Sequence, residues 1–248
     1  MSMQECREFL KDNIRQEIDF SRTAQSQGYT PPPVEKPAPE DAVRIKLPWE
    51  DGWPTFKVMS LVEAILNRKS RRDSTKTALS LLELSFLLYT TQGVTRKELP
   101  YHAFRVVPSA GCRHALETYV AALQVEGLDK AVYRYLPLSH ELVVIAKYSD
   151  IENRVTQAVL GQSFAGRSAA VFFWTTIPER MEWRYAEAAH KVIALDVGHV
   201  CQNLYLAGEA ASCGVCAIAA YDQALSDALV DVDGEEEFTV YIATVSKR

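Results

Sequence analysis

The chain has 248 residues, carries a net charge of −5, and is 48% hydrophobic and 24% charged. That length supports one large domain or two small ones held together by packing alone, and the acidic balance excludes a general affinity for nucleic acid, so any polyanion site must be local. Five cysteines do not make a disulfide framework, and the opening stretch MSMQECREFL lacks the apolar core of a signal peptide, so the expected setting is a reducing cytoplasm.

Residues 1 to about 22 show a charged, helix-permissive pattern with Phe9, Leu10, Ile14 and Ile18 as its apolar positions. GYTPPPVEKPAPEDAV follows, and its five prolines exclude regular structure. This predicts an N-terminal arm, residues 1–48, that packs across the surface and ends at Arg44-Ile45-Lys46-Leu47-Pro48. A polyproline ligand for a separate signalling domain is the alternative.

From Lys57 the pattern turns helical, with Val58, Leu61, Val62, Ile65 and Leu66 on one face and Ser60 as a cap. NRKSRRDS, residues 67–74, then gathers Arg68, Lys69, Arg71 and Arg72 around Ser70. Guanidinium groups pair bidentately with phosphate oxygens and a hydroxyl adds a donor, so the run suits one phosphate group. A solvated basic turn at a helix end is an equal reading.

LSLLELSFLLYT, residues 79–90, predicts the next helix, with Ser80 or Thr77 near its start, and TTQGVTRKEL a loop around Gly93. Phe104 to Pro108 has strand character and runs into the small residues 109–111. Such residues let a backbone come close to a flat ligand, or make a tight strand-to-helix connection. Residues 116–125 alternate as a strand, AVYRYLPLSHELVVIA reads as a two-stranded meander, and 149–160 as a short helix. AAVFFWTT, residues 169–176, is an apolar, aromatic run bounded by Gly166 and Pro178, as expected of a central strand buried on both faces.

The dominant element is His190 to Ala211. Apolar residues occupy every side of it, which predicts a helix roughly 33 Å long that is buried all round. Lys191, Asp196, Glu209 and the Gln202-Asn203 pair interrupt it, so it is read as the middle of a core and not as a membrane span. Beyond it come CAIAAYD, a small helix from Asp222 to Val230, the acidic turn DVDGEEE, and a final strand FTVYIATVS ahead of Lys247-Arg248. Strands and helices mix without strict alternation, which predicts an α+β fold with a central sheet.

Cys213-Gly-Val-Cys216 closes a helix and enters a strand, whereas redox CxxC motifs open helices, so buried structural thiols are expected. His199 and Cys201 stand two apart on a helix and point in different directions, and no metal site is expected. Neither HExxH, GxSxG, GxGxxG nor a Walker loop occurs.

Three segments taken together resemble the flavin-dependent nitroreductase family, and in particular its SagB-type dehydrogenase branch, which oxidises azolines in ribosomal peptides. They are NRKSRRDS at 67–74, RVVPSAGCRHALETYV at 105–120, and the run from Trp183 to Asp222. The resemblance implies a nitroreductase-like domain over 49–248, with a mostly antiparallel sheet flanked by helices. It implies that Arg68, Ser70 and Arg72 hold the phosphate of FMN, and that Pro108, Ser109, Ala110 and Gly111 lie along the isoalloxazine ring. Ala219 and Ala220 stand where relatives carry Gly-Gly near flavin N5, and Lys247 and Arg248 are extrapolated to add phosphate charge. The long helix becomes the dimer-interface helix of a homodimer, with FMN at the interface.

Arg184-Tyr185 stands where the peptide-modifying branch carries Lys-Tyr. Lysine can lose its proton when buried and arginine does not. Arg184 is therefore expected to fix an anionic substrate and Tyr185 to exchange a hydrogen bond; the alternative is that both merely cap the long helix. Three functions follow from the resemblance: a SagB-type dehydrogenase acting on an azoline-like heterocycle by hydride transfer to flavin, an NAD(P)H-dependent nitro or quinone reductase, and a non-catalytic flavin- or partner-binding subunit. No nucleic acid or membrane partner is expected.

Overall fold

The computed structural model describes residues 2–49, 53, 56 and 59–248. Lys57 and Val58, placed above at the start of a helix, lie outside the described residues.

The aromatic run expected as a central strand is β7 (Ala170–Thr176), buried along its whole length. It lies third from one edge of a seven-stranded sheet whose order is β1 (Arg44–Lys46), β6 (Glu141–Ala146), β5 (Ala131–Leu136), β4 (Leu116–Ala122), β7, β9 (Phe238–Lys247) and β8 (Cys213–Ile218). Every neighbouring pair is antiparallel. A separate hairpin joins β2 (Val94–Glu98) to β3 (His102–Arg105).

Period-two alternation divides β4 and β7 between two cores. Val120, Ala122, Phe172 and Trp174 face one apolar cluster, with α4 (Leu81–Gln92) and α8 (Ala189–Ala210). Tyr119, Ala121, Val171 and Phe173 face the other, with α5 (Ile151–Ala158) and α9 (Gln223–Val230). Both faces of the sheet are thus covered, which is why β7 reads as a continuous apolar run. The expected caps form: Ser60 and Ser80 accept from the Glu63 and Glu83 amides at 3.1 and 3.2 Å, opening α3 (Leu61–Asn67) and α4 with capping boxes.

Helix α8 is one residue offset from the expected span, with 22 residues, but it is not buried all round within one chain. Ile193, Val197, Val200 and Leu204 pack inward, while Ala194, Leu195, Gly198, His199 and Gln202 form an open stripe. On α3, Leu61, Val62, Ile65 and Leu66 are 54–78% exposed. The sequence reads hydrophobicity, whereas burial depends on what stands opposite, and a single chain leaves these faces open.

The arm does more than cross the surface. Its end supplies edge strand β1, and its proline-rich part enters a buried polar cluster at the end of the sheet. Arg105 donates to Val34 O at 3.0 Å, Arg134 to Pro37 O at 2.9 Å, and the Lys36 amide to Glu117 Oε1 at 2.9 Å. Glu117 also pairs at 2.7 Å with Arg180 of α7 (Glu179–Tyr185), both side chains almost fully buried. Among the described residues no helix is long and apolar enough to cross a membrane.

Candidate functional site

The basic run leaves α3 as an extended segment laid against the edge of the sheet. Ser70 forms a parallel bridge with Val215 of β8, and the Arg71 amide donates to Val215 O at 2.9 Å. A Cβ on Gly214 would stand 3.0 Å from Arg71 Cβ, so a side chain there would press the run away from β8.

The three arginines of the run and the two C-terminal cations separate by partner. Arg71 pairs with Glu209, a carboxylate of α8 that is 3% exposed, and Arg248 reaches the same carboxylate at 3.0 Å. Lys247 pairs with Glu83 and donates to Ala211 O at 3.2 Å. Among the described residues Arg68 and Arg72 have no carboxylate: Arg68 lies over the Tyr205 ring and Arg72 over the Phe164 ring, at 5.1 and 5.6 Å. Two unpaired guanidiniums flank one hydroxyl, Ser70, while the C-terminal cations brought beside them already have carboxylate partners, Arg248 sharing Glu209 with Arg71. An anion such as a phosphate group fits the first set.

Ala219 and Ala220 are exposed and follow β8 directly, with Ala220 O accepting from Gln162 Nε2 at 3.1 Å. Next to them in the chain, Tyr221 lines a pocket of about 300 Å³ with Ile193, Ala194 and Val197 of α8, Phe238 and Phe9.

Pro108, Ser109, Ala110 and Gly111 lie elsewhere. They lead from β3 toward β4, with a tight turn at Ala110–Cys112 and a left-handed Gly111 at φ 58°. Ser109 Oγ accepts from the His114 amide at 2.9 Å. The loop lies against Asp196 of α8, whose carboxyl is pushed up by burial and partly drawn back by the nearby Ser109 hydroxyl, Ala110 amide and His199. Arg184 and Tyr185 end α7 against this loop: a Cβ on Gly111 would be 2.7 Å from Arg184 Cδ and 2.8 Å from the Tyr185 hydroxyl. They do not cap the long helix, which starts at Ala189 after a turn at Ala186–Ala188 and has no side-chain cap.

One chain therefore divides the expected cofactor residues into two groups. The 68–72 run meets α8 at Tyr205 and Glu209, and the 108–111 loop meets it at Asp196, nine residues earlier and about 13 Å along the axis. Tyr205, Glu209 and Asp196 were not legible as site residues, and Arg71, counted with the basic run, was not legible as the partner of Glu209. The one signal was polar side chains inside a mostly apolar helix, with Tyr205 and Glu209 one turn apart on one face.

Cys213 and Cys216 are buried on β8 and all five cysteines are free. Burial pushes the Cys201 and Cys213 thiols up to about 12, the range of inert structural cysteine. No group of metal-ligating side chains forms among the described residues.

The model of the nitroreductase family matches residues 65–246. A nitroreductase-type protein of Methanocaldococcus jannaschii is 30% identical over 177 residues, 71% of this chain and 87% of its own. The trifolitoxin-processing protein TfxB of Rhizobium leguminosarum bv. trifolii is 30% identical over 132 residues, 52% of this chain but 35% of that longer protein. Among solved structures, a nitroreductase-type protein of Ralstonia eutropha superposes with a TM-score of 0.67 at 23% identity, over 89% of this chain and 95% of that one. The Escherichia coli microcin synthetase McbBCD complex superposes with a TM-score of 0.61 at 16% identity, over 100% of this chain and 98% of the matched one. Both structural likenesses establish the α+β fold, and the sequence matches establish the rest: the chain belongs to the nitroreductase family of oxidoreductases, which typically bind flavin.

Proposed function

We propose that the protein is a homodimeric FMN-dependent oxidoreductase, and a dehydrogenase of the SagB type that oxidises an azoline-like heterocycle. The observation that carries the cofactor reading is the pair of guanidiniums without carboxylates, Arg68 and Arg72, on either side of Ser70. In this reading they bind the FMN phosphate, with Lys247 and Arg248 as neighbours already ion-paired to Glu83 and Glu209. Bound flavin would supply the two-electron, hydride-accepting chemistry.

The homodimer is supported by two features. The open faces of α3 and α8 leave Leu61, Val62, Ile65, Leu66 and Leu195 exposed, as interaction faces do. The two groups of cofactor residues lie apart on one chain, and a second copy would bring the 108–111 loop of one to the 68–72 run of the other.

Pro108 to Gly111 would line the flat ring, and Ala219-Ala220 would present backbone near its reacting edge. Arg184 presents a guanidinium fork, which orients a carbonyl or carboxylate of the substrate. Tyr185, whose hydroxyl faces the same loop, is the group able to hold or pass a proton at its oxygen. The peptide-modifying reading is supported by the likeness to a trifolitoxin-processing protein and by the full-length superposition on a chain of the microcin synthetase complex. The match to a nitroreductase-type protein over 71% of the chain favours a second reading, reduction of a nitro or quinone acceptor with NAD(P)H.

The test starts from protein purified under mild conditions, with any flavin released by heat and identified. FMN near one per subunit supports the cofactor reading; a colourless protein that refuses added FMN overturns both enzyme readings and leaves a partner-binding subunit. Anaerobic bleaching by NADPH favours the reductase. Oxidation of an azoline peptide that falls in Tyr185→Phe and Arg184→Ala favours the dehydrogenase, and rates unchanged in both variants overturn the roles given to those residues.

A further inference from the structure

Tyr205 sits where three features of the 68–72 run meet. Its hydroxyl accepts from the Ala217 amide of β8 at 2.8 Å and lies 2.8 Å from Ser70 Oγ. Its ring lies beneath the Arg68 guanidinium at 5.1 Å. The residue is 9% exposed, and among the described residues its hydroxyl hydrogen has no acceptor other than Ser70.

By distance the bond between the two hydroxyls can run either way. A phenol carries one hydrogen. With the Ala217 amide donating to its oxygen and no other acceptor for its hydrogen among the described residues, Tyr205 is assigned as the donor and Ser70 Oγ as the acceptor. Ser70 then has an occupied lone pair and a hydrogen free to point outward, toward an acceptor that is not backbone. The Cys216 sulfur nearby is a weak acceptor and does not compete with an anionic oxygen.

Charge is sorted in the same place. Glu209 takes up Arg71 and Arg248, leaving Arg68 and Arg72 as the unpaired guanidiniums of the run. Two positive charges and one directed hydroxyl match a phosphate monoester, which carries a charge of about −1.5 to −2 at neutral pH.

We propose that Tyr205 is a positioning residue: its hydroxyl turns Ser70 into an outward donor and its ring holds Arg68 beside it, so that the site selects a flavin bearing a phosphate monoester over the same flavin without one. The proposal rests on the flavin reading above. Tyr205 touches no substrate; it acts through Ser70 and Arg68.

The experiment measures FMN and riboflavin affinity by fluorescence quenching for the wild-type protein, Tyr205→Phe, Ser70→Ala and the double variant, with no turnover required. The phenylalanine variant keeps the ring and its place under Arg68. It is expected to lower the FMN-over-riboflavin ratio by about tenfold, the worth of one hydrogen bond to a charged group, with riboflavin affinity unchanged. Ser70→Ala is expected to lose as much, and the double variant no more than Ser70→Ala alone. Equal weakening of both flavins, or an unchanged ratio in Tyr205→Phe, overturns the proposal and leaves the cofactor reading standing. An unchanged ratio in Ser70→Ala also overturns it, even if the phenylalanine variant fails to fold. A wild-type protein that does not distinguish FMN from riboflavin overturns both.

Discussion

Gly111 and Arg184 are packed so closely that a methyl group on Gly111 would lie 2.7 Å from Arg184 Cδ. The contact joins the loop ahead of β4 to the end of α7, and the positive φ at Gly111 adds a second barrier to any side chain. Gly111→Ala is expected to cost about 1–3 kcal/mol of stability through backbone strain and to displace Arg184 and Tyr185. Chemical denaturation checks the first effect, and a crystal structure of the variant checks the second. A variant as stable as wild type would show that the loop yields freely.

The cations of the 68–72 run should separate by function. Arg68→Ala and Arg72→Ala are expected to weaken FMN binding by about tenfold or more, with stability within about 0.5 kcal/mol of wild type, since neither breaks an ion pair. Arg71→Ala strips one partner from the buried Glu209 and should cost about 2 kcal/mol or more in unfolding free energy. Paired flavin titrations and urea melts on the three variants distinguish the two behaviours.

Glu117 and Arg180 form the most buried ion pair among the described residues. Burial alone would push the Glu117 carboxyl up, but the Arg180, Arg134 and Arg105 guanidiniums outweigh it and hold it below its ordinary 4.5. Arg180→Met leaves that carboxylate without its nearest partner and is expected to destabilise by about 3–5 kcal/mol. The same change should loosen the arm, whose Lys36 amide shares Glu117, and faster proteolysis within residues 34–40 would report it.

Stability should fall in mild acid because of His114. Burial first, then the charges of Arg105, Arg113 and Arg180, hold its pKa near about 2 against an ordinary 6.5. The unfolded chain gains a proton as the pH drops through 6.5, and the folded chain does not. A depressed folded pKa therefore gives stabilisation that is complete above 6.5 and is lost progressively below it, by up to about 1.4 kcal/mol per pH unit. His140, also held down chiefly by burial, adds to the slope with the same sign. Urea melts between about pH 7 and pH 5 should show a shallower slope for His114→Gln than for wild type; equal slopes would remove His114 from the account.

Much of this was legible in the chain, because local rules carry it. Caps at Ser60 and Ser80, the hairpin of β5 and β6, the central strand at 170–176 and the long helix all follow from side-chain type and spacing. The run 67–74 could be nominated because charge density in a short run does not depend on the fold, while the choice of Arg68, Ser70 and Arg72 within it is what the resemblance to the nitroreductase family implied. Tertiary structure decided what spacing cannot encode: that Glu209 would claim Arg71 and Arg248 and leave Arg68 and Arg72 unpaired, that Tyr205 would stand under Ser70, that Arg184 would close on Gly111, and that Glu117, Arg180 and residues 34–37 of the arm would share one buried cluster. Each joins residues distant in sequence, and whether a charge is neutralised or available depends on the group that the completed fold places opposite it.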